Sequence, residues 1–161
     1  MARASADVQT DINSTSQKID TLDTEIADCN QKKQNLIDKY DNLKDQKKIM
    51  DDSADLILVL QSEIVGRLET LISGSVCIQE IQDGTTTEIQ EECDNAYKTA
   101  KWVSTKLMMK MKEVNKELDE CDYQIIMYQN QQKECRSSLD RLSKEYKQEK
   151  EDEAVTAAGG M

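Results

Sequence analysis

The sequence predicts an all-α protein, a long antiparallel coiled-coil helical hairpin. Three observations predict it. Apolar residues recur at heptad spacing over most of the 161 residues, the chain has no Pro, and of its 5 Gly the one in Asp83-Gly84 stands where the repeat breaks.

The first heptad runs from Val8 to Ile78. With a at Ile12, Ile19 and Ile26 and d at Val8, Thr15 and Leu22, 16 of the 21 core positions are apolar, the exceptions being Thr15, Lys33, Lys47, Gln61 and Ser75. The frame passes through Asp51-Asp52-Ser53 without changing phase, so one helix over about 8–82 is favoured over two, although Ser53 is a residue type suited to an N-cap. Gly84 is then expected to occupy the C′ position, where a left-handed conformation costs it little. The turn is placed at 83–85, and Thr85-x-x-Glu88 reads as the capping box of the next helix. A short β-hairpin about Asp83-Gly84 is the rival reading of residues 76–90.

The second heptad runs from Cys93 to Tyr146 with only Ser104 and Gln132 polar at a or d, predicting a helix over about 86–148. Residues 149–161, Glu-Lys-Glu-Asp-Glu and then Ala, Val, Thr and Gly, have no periodicity and are expected to be a disordered acidic and Gly-containing tail. Folding about 83–84 places Lys33 near Gln132, Leu43 near Ile125 and Ile26 near Leu142, and brings Cys77 within about a turn of Cys93. Such an arm would be on the order of 100 Å long.

Composition excludes several chemistries. There is no His, hence no His-based triad, imidazole ligand or His pH switch. Neither GxGxxG nor GxxxxGK[ST] occurs. The formal charge of −11 disfavours nucleic acid as partner, and the six Lys between Lys98 and Lys116 read as a solvated face. Cys29, Cys77, Cys93, Cys121 and Cys135 form no CxxC pair and read as reduced, buried thiols, with Cys29, Cys121 and Cys135 at d positions of the seam, so no metal is expected. The N-terminus has no apolar signal core, and Leu56 to Ile72 contains Gln61, Glu63, Arg67 and Glu69, which rules it out as a membrane span. A cytoplasmic protein is expected, with signal-independent export left open.

The paired carboxylates (Asp51-Asp52, Glu91-Glu92, Glu151-Asp152-Glu153) lack the pocket that general acid–base work requires, so no enzyme, cofactor or small-molecule substrate is expected. Near the turn the apolar surface is wider than one seam needs. Leu56, Leu58, Val59, Val65 and Ile72 lie off the a/d stripe of the first helix, and Trp102, Met108 and Met109 lie off that of the second. These eight residues are the candidate protein interface. The surplus is absorbed by a four-helix bundle of two hairpins, by a local extra helix over Leu56–Ile72, or by a helical partner.

Two long amphipathic helices, with Gln, Ser and Lys set between spaced Ile and Leu over Ile19–Leu43 and Leu118–Leu142, resemble the helical-hairpin proteins of bacterial type VII (ESX) secretion. More narrowly, they resemble the YwqH-like accessory proteins encoded beside LXG toxins. The Trp-x-Gly turn signature of such proteins is absent, the one Trp giving Trp102-Val103-Ser104. The resemblance implies an accessory or chaperone protein that binds the helical targeting domain of a secreted partner. A self-associating structural coiled-coil scaffold or spacer is the alternative.

Overall fold

The computed structural model describes residues 5–71 and 76–158, with side chains described for 5–70 and 83–156. Two helices make up the fold, α1 (Ser5–Leu71) and α2 (Val76–Ala158), and they pack against each other as a helical hairpin. Their contacts divide into two units, Met1–Asn35 with Leu118–Met161 (unit 1) and Leu36–Glu117 (unit 2).

The heptad accounts for what is covered. Every a and d residue of α2 from Cys93 to Tyr146 is buried or half-buried, and on α1 from Val8 to Leu68 only Ile64 is exposed. In unit 1 the most enclosed seam residues are Val8, Leu22, Cys121, Ile125 and Leu142; in unit 2 they are Leu36, Ala54, Ala100 and Val114. Burial of these side chains, at roughly 25 cal/mol per Å² of apolar surface, is the main force holding each unit.

α1 crosses Asp51-Asp52-Ser53 unbroken, and Ser53 Oγ donates to Ile49 O at 2.7 Å instead of capping a new helix. Leu56 to Leu71 accordingly belongs to α1 and forms no separate helix.

Three expectations need correction. The first is the turn: Asp83, Gly84 and the Thr85–Glu88 box lie inside α2, which also excludes the β-hairpin reading. Thr86, Ile89 and Cys93 are half-buried at three- and four-residue spacing, so the covered face of α2 reaches to within two residues of Gly84. Gly costs a helix only about 1 kcal/mol relative to Ala. The helices are instead separated by Ile72-Ser73-Gly74-Ser75, outside the described residues. Cys77 and Cys93 therefore lie on one helix, roughly 24 Å apart along its axis, not across the seam.

The second correction is the register. Lys33 meets Asp122 rather than Gln132, and Gln132 meets Asp23. A chain break earlier in the sequence pairs each α1 residue with an earlier residue of α2. The third is the tail: α2 continues to Ala158. Glu149 is half-buried, and Glu153 Oε1 accepts the backbone N–H of Ser5 at 3.3 Å. That N–H belongs to the first turn of α1, whose donors have no partner within the helix and whose dipole favours a carboxylate.

Candidate interaction surface

In each unit a polar interruption of the seam is clasped to the facing helix. Lys33, Ser104 and Gln132 all occupy a positions, and each donates to an aspartate at an e position of the facing helix. Lys33 Nζ reaches Asp122 at 2.6 Å, Ser104 Oγ reaches Asp51 at 2.8 Å, and Gln132 Nε2 bonds Asp23. By the same spacing Lys47 faces Met108, which offers no carboxylate. Lys47 Nζ turns instead to Asp51 of its own helix at 2.6 Å.

Asp51 is thus the hub of a polar cluster in unit 2. Lys101 Nζ stands 3.7 Å from the same carboxylate and 4.0 Å from Asp55. The hydrogen bonds from Lys47 and then Ser104, with the charges of Lys47 and Lys101, hold the Asp51 carboxyl below its ordinary value of 3.8 against a smaller opposing desolvation. In unit 1 Glu153 is likewise held below its ordinary 4.5, mainly by hydrogen bonds to Ser5 and also by Lys150 at 3.6 Å.

The expected interface residues all fall in unit 2. Leu56, Leu58, Val59, Trp102, Met108 and Met109 are exposed, Trp102 most of all at 62%, whereas Val65 is half-buried and Ile72 lies outside the described side chains. They do not form one patch. Leu58 and Val65 line a groove with Gln61, Ser62, Gly66, Glu69 and Gln90. Trp102 and Met109, seven residues apart, share the outward face of α2, with Lys106 Nζ 5.5 Å from the indole centroid.

A further apolar feature was not anticipated. Gln46, Ile49, Met50, Val103 and Leu107 line a groove of about 260 Å³ between the helices, on the side away from the Asp51 cluster. Exposed Leu56 and Leu60 prolong it along α1. The available signal was the spacing Ile49, Leu56, Leu60, which puts three apolar side chains on one helix face.

Among the described residues no group of three or more Cys, Asp or Glu is placed to hold a metal ion, and no helix is long and apolar enough to cross a membrane. Comparison with protein-family models, curated proteins and solved structures finds no match.

Proposed function

We propose that the protein is a non-enzymatic interaction protein, an antiparallel coiled-coil hairpin that serves as an accessory or chaperone-like adaptor for a helical, secreted partner. The observation that carries the reading is the outer surface of unit 2. Leu58, Trp102, Met108 and Met109 remain exposed although the seam beneath them is filled. Apolar surface beyond what a helix pair can cover marks a contact with something else, and exposed Trp is over-represented among residues that dominate binding energy.

The coiled-coil geometry is supported by the a-to-e bonds: as α1 is followed from Asp23 to Lys33 to Asp51, the partners retreat along α2 from Gln132 to Asp122 to Ser104. The non-enzymatic part is supported by Asp51 and Glu153, the shifted carboxylates among the described residues, since Lys and Ser partners account for both as parts of polar clasps. The type VII resemblance supplies the class of partner, a secreted protein with a helical targeting domain.

A photo-crosslinking residue placed at Trp102 or Leu58, with Gln17 and Glu134 of unit 1 as controls, tests the proposal in the producing cell. The expected product is one helical protein trapped from the unit 2 positions and not from the controls. Trapping only a second copy favours the scaffold, and trapping nothing sinks the adaptor reading.

A further inference from the structure

We infer that a second copy of the chain docks on the Ile49–Leu107 side of unit 2, so that two hairpins close a four-helix bundle there. The inference rests on the reading of unit 2 as an interaction surface and assigns the occupant of one face of it. That face is the groove of about 260 Å³ lined by Gln46, Ile49, Met50, Val103 and Leu107. Leu56 follows Ile49 by seven residues and Leu60 follows Leu56 by four, so the apolar strip runs on along the same side of α1. Ile49 is 57% and Leu56 56% exposed, and the residues across the seam leave both uncovered.

Charge selects the occupant. On α1 the strip is edged by acid: Asp45 lies four residues before Ile49, and Asp52 lies three after it and four before Leu56. On α2 the edge is basic, with Lys106 three residues after Val103 and Lys110 three after Leu107. All four charged side chains are exposed. The Asp51–Ser104 and Asp55–Lys101 contacts set the axial level of the two helices. Asp45 is then level with about Lys110, and Asp52 lies within about one turn of Lys106.

Over this stretch Asp45 and Asp52 of one edge stand level with Lys110 and Lys106 of the other; beyond Lys110 the signs reverse, where Lys39 of α1 and Glu113 of α2 line a groove with it. A two-fold axis parallel to the helices lays α1 of one copy on α2 of the other, and it sets Asp45 against Lys110 and Asp52 against Lys106 twice over. The other pairing, α1 on α1, sets acid against acid and lysine against lysine. A foreign helix of one charge would suit only one edge, whereas a second copy suits both.

The test is light scattering and sedimentation equilibrium on the full reduced chain. A dimer is expected, and Ile49→Lys with Leu56→Lys should raise its Kd by about 100-fold. Both sites are exposed, so far-UV circular dichroism should stay helical. Asp45→Lys with Asp52→Lys, and separately Lys106→Glu with Lys110→Glu, should each weaken the dimer about tenfold, and an equimolar mixture of these two variants should restore it as a heterodimer. A monomer throughout the micromolar range overturns the inference, as does a dimer indifferent to Ile49→Lys with Leu56→Lys, or a mixture no tighter than its components. A monomer that still crosslinks to another protein through Trp102 leaves the adaptor reading intact. A dimer from which Trp102 and Leu58 trap nothing leaves this inference standing and removes the adaptor.

Discussion

Each unit has a groove between its two helices, and the two grooves are lined differently. In unit 1 a groove of about 660 Å³ is edged by Ser14, Gln17, Lys18, Thr21, Glu25, Gln131 and Glu134, with only Leu22 and Cys135 at its floor. In unit 2 the groove is edged by Ile49, Met50, Val103 and Leu107, with Gln46 its one polar member. The seams beneath share buried aliphatic side chains and a polar clasp to an e-position aspartate, with Cys121 added in unit 1 and Ala54 and Ala100 in unit 2. Folding thus asks the same of both stretches, and the two grooves differ outside the seam, although unit 1 has exposed apolar residues of its own at Tyr123, Ile126 and Met127.

The sharpest way to break this comparison is to truncate one leucine of each kind. Leu22 is 8% exposed in unit 1, and Leu22→Ala should cost about 2–5 kcal/mol in denaturant unfolding. Leu56, 56% exposed in unit 2, should cost the fold less than about 0.5 kcal/mol when changed to Ala, its effect falling on association instead. Equal losses of stability at the two sites would mean that the outer surface of unit 2 belongs to the fold.

A second test concerns what sets the register in unit 1. Lys33→Leu with Gln132→Leu should change stability by less than about 1 kcal/mol, because both polar pairs are partly solvated. It should, however, allow sliding by a heptad, about 10 Å along the axis, since polar a residues specify register. Spin labels at Gln17 and Glu134, which line one groove, report this. One narrow distance is expected in the parent chain and a second population in the variant; an unchanged single distance would show that the clasps do not set the register.

Those clasps also show what could be read from the sequence. The heptad phase was legible because burial is periodic: the a and d residues from Val8 to Leu68 and from Cys93 to Tyr146 are, Ile64 aside, all buried or half-buried. The register was not, because sliding one helix by seven residues leaves every a and d residue in the seam. Lys33 opposite Gln132 satisfied the pattern as well as Lys33 opposite Asp122, and the choice falls to e-position acids that a pattern of apolar residues ignores. The outward placement of Leu56, Leu58, Val59, Trp102, Met108 and Met109 followed from heptad position alone. The groove at Ile49 and Val103 did not, because it exists only once two helices are set in register.

Gly84 tests the largest disagreement, the position of the chain break, and it lies in unit 2. A Cβ added there meets nothing within 4 Å, and α2 passes through it. Gly84→Ala should therefore raise stability by about 0.5–1 kcal/mol in thermal or denaturant unfolding. A loss would be the mark of a left-handed residue ending a helix, and it would return the turn to 83–84.

The smallest expected effect separates the two polar clasps by pH. Glu153 in unit 1 and Asp51 in unit 2 both have carboxyl values depressed by donors to the charged form: Ser5 and Lys150 for the first, Lys47, Ser104 and Lys101 for the second. A depressed carboxyl contributes stability that is fully present above its ordinary value, 4.5 for Glu153 and 3.8 for Asp51, and is lost as pH falls through the lower folded value. With no His in the chain, neither clasp should change between pH 5 and pH 8. Below that window the first turn of α1 should fray as Glu153 is protonated and its hold on the Ser5 N–H weakens. Glu153→Gln should reproduce that fraying at pH 7, read as faster amide exchange from Ser5 to Val8, while exchange around Ala54 and Ala100 stays unchanged. Asp51→Asn should do the reverse. If Glu153→Gln leaves exchange at the start of α1 unaltered at pH 7, the carboxylate is not what holds that turn, and the tail of α2 owes its order to the seam alone.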